Sequence, residues 1–168
     1  MTSVMKNPLV VGSGAIALVG IGVYVYQLMF GLGITGMNNS TSWGLYLTCF
    51  MFFVGLSAGG LIISSVPRAF GMKGFGGISK VAVWTSICCT VLAIAFVVVD
   101  LGHPARLWEL FAYSNLGSPL MWDIVVLGTY LILSIMYLWA TLRFEGGKGS
   151  AASLRVISAI ALVCAILV

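Results

Sequence analysis

The chain returns four times to an apolar run long enough to cross a lipid bilayer, over residues 9–32, 43–66, 81–99 and 120–142. A span takes about 20 mostly apolar residues, because the hydrocarbon layer is about 30 Å thick and a helix rises about 1.5 Å per residue. Inside lipid the backbone must satisfy its own hydrogen bonds, so such runs fold as helices. A fifth run starts near Val156 and is still apolar at Val168, 13 residues later, which is too few to cross. The expectation is an all-α, polytopic transmembrane helix bundle of four full spans and an incomplete fifth, the front part of a longer protein.

Glycine and polar residues punctuate the runs at 36–42, 71–77 and 146–149, with Pro67 ahead of the second group. Charged residues make up 7% of the chain, against about 25% in a soluble domain. A net charge of +4, scattered along the chain, gives no basic stripe for nucleic acid. Lys6 precedes the first span; Arg68, Lys73 and Lys80 separate the second from the third; Arg143, Lys148 and Arg155 separate the fourth from the fifth. Arg106 alone falls on the other side. The positive-inside rule then sets the N-terminus in the cytoplasm and the loop around His103 on the outer face of the membrane.

Charge is otherwise rare, and a cluster of it falls on that outer side. Asp100, His103, Arg106 and Glu109 follow the third span, Asp123 lies one turn into the fourth, and Trp43 and Tyr46 open the second. Ionisable groups at membrane depth are costly and mark ligand or proton paths. A plainer reading stands beside this one: Arg106 pairs with Asp100 or Asp123 to tie two helices, and Trp43, Trp108 and Trp122 are interfacial belt residues. Gly55 and Gly59, four apart, are expected to form a packing face or to flank a slot for a flat ring. Cys49, Cys88, Cys89 and Cys164 have no metal-ligand spacing and read as small apolar packing residues. A bis-histidine haem needs two axial ligands, and the chain has one His, so neither haem nor an iron–sulfur cluster is expected in it, and no metal site.

Three segments, residues 43–60 from Trp43 to Gly60, Asp100-Leu-Gly-His-Pro-Ala-Arg106 and Ser118-Pro-Leu-Met-Trp-Asp123, resemble the NrfD/PsrC-like family of polysulfide and nitrite reductase membrane subunits, in the family's order. The resemblance runs from Trp43 to about Leu142. It implies that residues 1–42 are an extra N-terminal helix and outer loop and that 43–168 are the first bundle of a quinone-binding subunit. It implies menaquinone or ubiquinone near the outer face and a ferredoxin-like iron–sulfur partner subunit, with a molybdopterin catalytic subunit or a multihaem cytochrome in some complexes. The subunit would exchange electrons with its partner and not be an enzyme by itself.

The residues fit that implication. A quinone headgroup needs hydrogen-bonding groups at two oxygens and a proton route, in an apolar slot. His103 and Asp123 are the candidates for proton handling, Tyr46, Arg106 and Asp100 for the headgroup, and Trp43 and Trp122 for the walls. The rival readings are half of a transporter or channel, and a structural anchor without quinone. A transporter is expected to carry polar groups near mid-membrane, and the spans offer few of them.

Overall fold

A computed structural model describes residues 8–36, 44–72, 74–102, 104, 107–112, 117–147 and 149–168. Helices α1 (Pro8–Phe30), α2 (Leu45–Ala69), α3 (Gly76–Asp100), α4 (Leu107–Ala112), α5 (Pro119–Glu145) and α6 (Ala151–Leu167) follow one another, with a 3-10 turn at Leu32–Thr35. No strand occurs among the described residues. By length and composition α1, α2, α3 and the stretch Met121–Glu145 of α5 can each cross a membrane.

Two helix starts differ most from those read off hydropathy. The third helix starts at Gly76, ahead of residue 81, so Lys80 lies within it. The last helix starts at Ala151, ahead of Val156, and reaches 17 residues. Hydropathy reports preference for lipid, whereas Ala-Ala-Ser-Leu-Arg is helix-forming without being strongly apolar. Ser150 supplies the cap, its Oγ accepting from the Ala152 N–H. Even so, 17 residues rise only about 25 Å.

Four helices close a ring in which α2 packs on α3, α3 on α5, α5 on α6 and α6 on α2. Short connections make neighbours antiparallel. Phe50, Ala93 and Leu127 therefore meet at one end of the ring. Leu61, Val83, Tyr137 and Leu154 meet toward the other. Helix α1 stands outside this ring, and Gln27 is its one buried residue.

The interior is not uniformly apolar. Tyr130 donates to the Ser57 carbonyl at 2.9 Å, and Ser57 Oγ donates to the Ser86 carbonyl at 2.8 Å. One heptad on, Tyr137 donates to the Ser64 carbonyl at 2.7 Å, and Ser64 Oγ donates to the Ser79 carbonyl at 2.7 Å. The same three-helix clamp is built twice, since each pair (57 and 64, 79 and 86, 130 and 137) is seven residues apart. Thr90 joins the first layer, its Oγ1 lying 2.6 Å from Ser57 Oγ. The spans thus carry more mid-helix polar groups than a survey of charges suggests. They are neutral hydroxyls bonded to one another and to backbone carbonyls, and each such bond between membrane helices contributes roughly 0.6–2 kcal/mol. Tyr137→Phe is expected to destabilise the bundle by about 1 kcal/mol, and Tyr130→Phe with Tyr137→Phe by about twice that. Denaturation midpoints in mild detergent check this; a double variant with an unchanged midpoint would contradict it.

The glycine expectation is corrected. A Cβ at Gly55 or Gly59 meets nothing within 4 Å, whereas one at Gly60 would stand 3.0 Å from the Ala82 carbonyl oxygen and 3.3 Å from Ser86 Cβ. Gly60 is the residue that lets α2 and α3 approach. Gly147, in the punctuation after the fourth run, has a φ of 72°, where side chains are strained.

Candidate functional site

At the end of the ring where α2 begins, α3 ends and α5 begins, the helices splay around a cavity of about 360 Å³. The opening follows from composition. At this end α5 places Gly128 toward the gap, and a Cβ there would touch nothing. Phe50, Phe96, Val97 and Leu127 give apolar walls. Phe53 stacks on Phe96 with ring centroids 5.6 Å apart and planes 14° from parallel, holding that wall in place.

Three polar side chains reach this apolar space: Tyr46 from the second position of α2, Asp100 from the last position of α3, and Asp123 from the fifth position of α5. All three were singled out by sequence. Asp100 is partly buried and Asp123 exposed, and neither has an ion-pair partner among the described residues. Trp122 neighbours the cavity in sequence, but it is 57% exposed and does not line it. Trp43, His103 and Arg106 lie outside the described residues, as does any pairing of Arg106 with Asp100 or Asp123.

One contributor was not anticipated. Gln27, 2% exposed, accepts a short hydrogen bond from the Tyr46 hydroxyl and donates through Nε2 to the Val99 carbonyl at 3.5 Å. Thus α1, otherwise outside the ring, fixes the phenol at the rim of the cavity. The signal was available, for Gln27 is the sole side-chain amide in a 23-residue apolar helix. With its proton held by Gln27, the Tyr46 oxygen is left as an acceptor. The site therefore offers one acceptor phenol and two carboxyl groups that accept when ionised and donate when protonated. An apolar cavity with a few convergent polar groups is the usual form of a small-molecule site.

At the opposite end, Arg68, Lys80, Glu145 and Arg155 gather where α2 and α5 finish and α3 and α6 begin. Glu145 binds Arg68 at 3.3 Å and Lys80 at 2.5 Å. The charge asymmetry read from sequence is therefore a separation of the described basic groups from the Tyr46–Asp100–Asp123 end.

Known proteins resemble this chain. A protein of Halobacterium salinarum assigned as a membrane subunit of dimethyl sulfoxide reductase is 40% identical over 147 residues, covering 85% of this chain and 34% of the relative. A selenate reductase subunit of Mesobacillus selenatarsenatis is 34% identical over 130 residues, covering 77% of this chain and 30% of the relative. The Hdr-like menaquinol oxidoreductase integral membrane subunit of Archaeoglobus fulgidus is 28% identical over 122 residues, covering 73% and 31%. The chain thus spans about a third of the length of these curated relatives. A family model described as polysulphide reductase, NrfD, matches residues 33–168, which takes in α2 to α6 and the cavity. Apolar helices of spanning length together with membrane-subunit relatives make this a multi-pass membrane protein. The resemblance read from the three sequence segments is borne out: the chain belongs to the NrfD, polysulphide reductase, family.

Proposed function

We propose that this chain is the quinone-binding part of a membrane anchor subunit in a multi-subunit oxidoreductase, passing electrons between quinol and an iron–sulfur cluster of a ferredoxin-like partner. The observation that carries the reading is the apolar cavity into which Tyr46, Asp100 and Asp123 converge. Its aromatic and aliphatic walls suit a flat ring with an isoprenoid tail, and its polar groups suit two ring oxygens, so the residues present fit menaquinone or ubiquinone. The name of the Archaeoglobus relative includes menaquinol, which supports the same ligand class. Residues 1–42 are proposed as a helix and loop added to the first bundle, and a molybdopterin subunit or multihaem cytochrome as further partners.

A bound quinone supplies two-electron, two-proton redox chemistry; the chain supplies position and proton handling. Tyr46, its proton held by Gln27, accepts a hydrogen bond from a quinol O–H. Asp100 and Asp123 receive or return protons at the cavity mouth. Histidine is the side chain whose unperturbed pKa lies near neutrality, and His103, three residues beyond Asp100 in sequence, serves as a proton acceptor or donor. Arg106 and Trp43 remain the candidates read from sequence for a charged donor and a wall of the slot. The uneven distribution of basic residues supports an orientation with the Arg68–Glu145 end in the cytoplasm and this site on the outer face.

In the intact complex, Asp123→Asn is expected to keep quinone affinity and slow quinol-dependent reduction of the partner clusters by about 100-fold, the scale of general acid–base catalysis. His103→Ala should slow the same reaction. Stopped-flow reduction kinetics check both. Unchanged rates in the two variants defeat the assignment of these residues while leaving family membership intact.

A further inference from the structure

At the end of the bundle away from the quinone site lies a second cleft of about 360 Å³, between the finish of α2 and α5 and the start of α3 and α6. Its chemistry is that of an anion receptor. Helix α3 begins at Gly76 with no side-chain cap, so first-turn N–H groups and the positive end of its dipole meet the cleft. Helix α6 begins at Ala151 beside it, where Ser150 Oγ occupies the Ala152 N–H.

Side chains add to these two helix ends. Arg155 is exposed, its guanidinium has no hydrogen-bond or ion-pair partner among the described residues, and it reaches over Gly71, where a Cβ would stand 3.1 Å from its Nη2. Arg68 has a side chain 11% exposed; it uses Nη2 on Glu145, while its Nε is buried without a partner. Ser79, 1% exposed, lines the cleft with an Oγ that also lacks a hydrogen-bond partner among the described residues. Glu145 is the one carboxylate present, and Arg68 and Lys80 already neutralise it. Buried donors are normally satisfied, and those left over here share a need for a compact anion with several acceptor oxygens.

We propose that this cleft binds a phosphate group, carried by the headgroup of an acidic phospholipid or present as the free anion. Arg155 and Arg68 supply charge, and Ser79 and the start of α3 supply neutral donors. The inference is independent of the quinone reading, since the two sites share no lining residue.

The test uses the full chain in the complex in which it purifies, in neutral detergent, titrated with short-chain phosphatidylglycerol, with phosphatidylcholine and with inorganic phosphate. Phosphatidylglycerol is expected to bind more tightly than phosphatidylcholine. Arg155→Gln, at an exposed and unpaired position, should weaken it about five-fold, the effect of one basic group near a membrane surface. Ser79→Ala should also weaken it. Arg143→Gln should not, because that guanidinium lies 4.2 Å from the Trp139 ring centroid and not in the cleft. Inorganic phosphate that binds, competes and shows the same Arg155 dependence assigns the site to the free anion; phosphate that fails to compete assigns it to the lipid. Phosphatidylglycerol no tighter than phosphatidylcholine with no phosphate binding, or affinities unchanged in Arg155→Gln, would overturn the proposal.

Discussion

Gly128→Leu is expected to lower quinol-dependent reduction of the partner clusters by about 5- to 150-fold while leaving the yield of folded complex unchanged. Gly128 lines the cavity, and a Cβ there meets no atom of the chain within 4 Å. A leucine therefore has room to fold in and occupies the volume proposed for the ring. Forcing a ring past added methylenes costs about 1–3 kcal/mol, which sets the range. The loss should appear mainly as a raised KM for quinol, because the proton-handling groups are untouched. Rates and KM equal to those of the parent protein would mean that the cavity is not where quinol reacts.

The largest effect on folding is expected at Gly60. Gly60→Leu forces a side chain against the Ala82 carbonyl and Ser86 and must separate α2 from α3. Those are the most extensively packed pair, and the separation also pulls Ser57 from the Ser86 carbonyl 2.8 Å away. Overpacking of about 1–3 kcal/mol together with a lost interhelical hydrogen bond of about 1 kcal/mol removes a large part of the stability of a marginally stable bundle. Gly60→Leu should thus give little monodisperse protein, whereas Gly55→Leu, facing open space, should fold normally. Size-exclusion profiles in mild detergent decide between them; equal recovery of the two variants contradicts the packing described.

The spans were legible because lipid imposes one strong requirement, a long apolar helix, and hydropathy measures it directly. Rotation of each helix about its axis was harder to read. The glycines at 55 and 59 suggested a contact face, yet at about 100° per residue each lies roughly 200° round from Ser57, while Gly60 lies within about 60° of it. The buried row Ser57, Leu61 and Ser64 identifies the inner face. That row had a signal of its own, in the sevenfold spacing of Ser57 with Ser64, Ser79 with Ser86, and Tyr130 with Tyr137. A search confined to charges passes over it, because hydroxyls bonded to backbone carbonyls barely lower the apolar character of a span. At the candidate site, Tyr46, Asp100 and Asp123 were visible as rare polar groups at helix ends. Gln27 carried a signal as the sole side-chain amide of its helix, but its partner depends on which neighbour α1 touches. Gly128 was not visible, since an empty space has no sequence signature.

The central claim is that quinone occupies the space between the start of α2, the end of α3 and the start of α5. Photo-crosslinking with an azido-quinone in the intact complex, followed by mass spectrometry of the labelled peptides, tests it most directly. Label is expected on peptides holding Tyr46–Phe50, Ile94–Leu101 or Asp123–Gly128, competed away by unmodified quinol and reduced in Gly128→Leu. Competable label confined to other parts of the complex, with these three segments unmarked, would contradict the account.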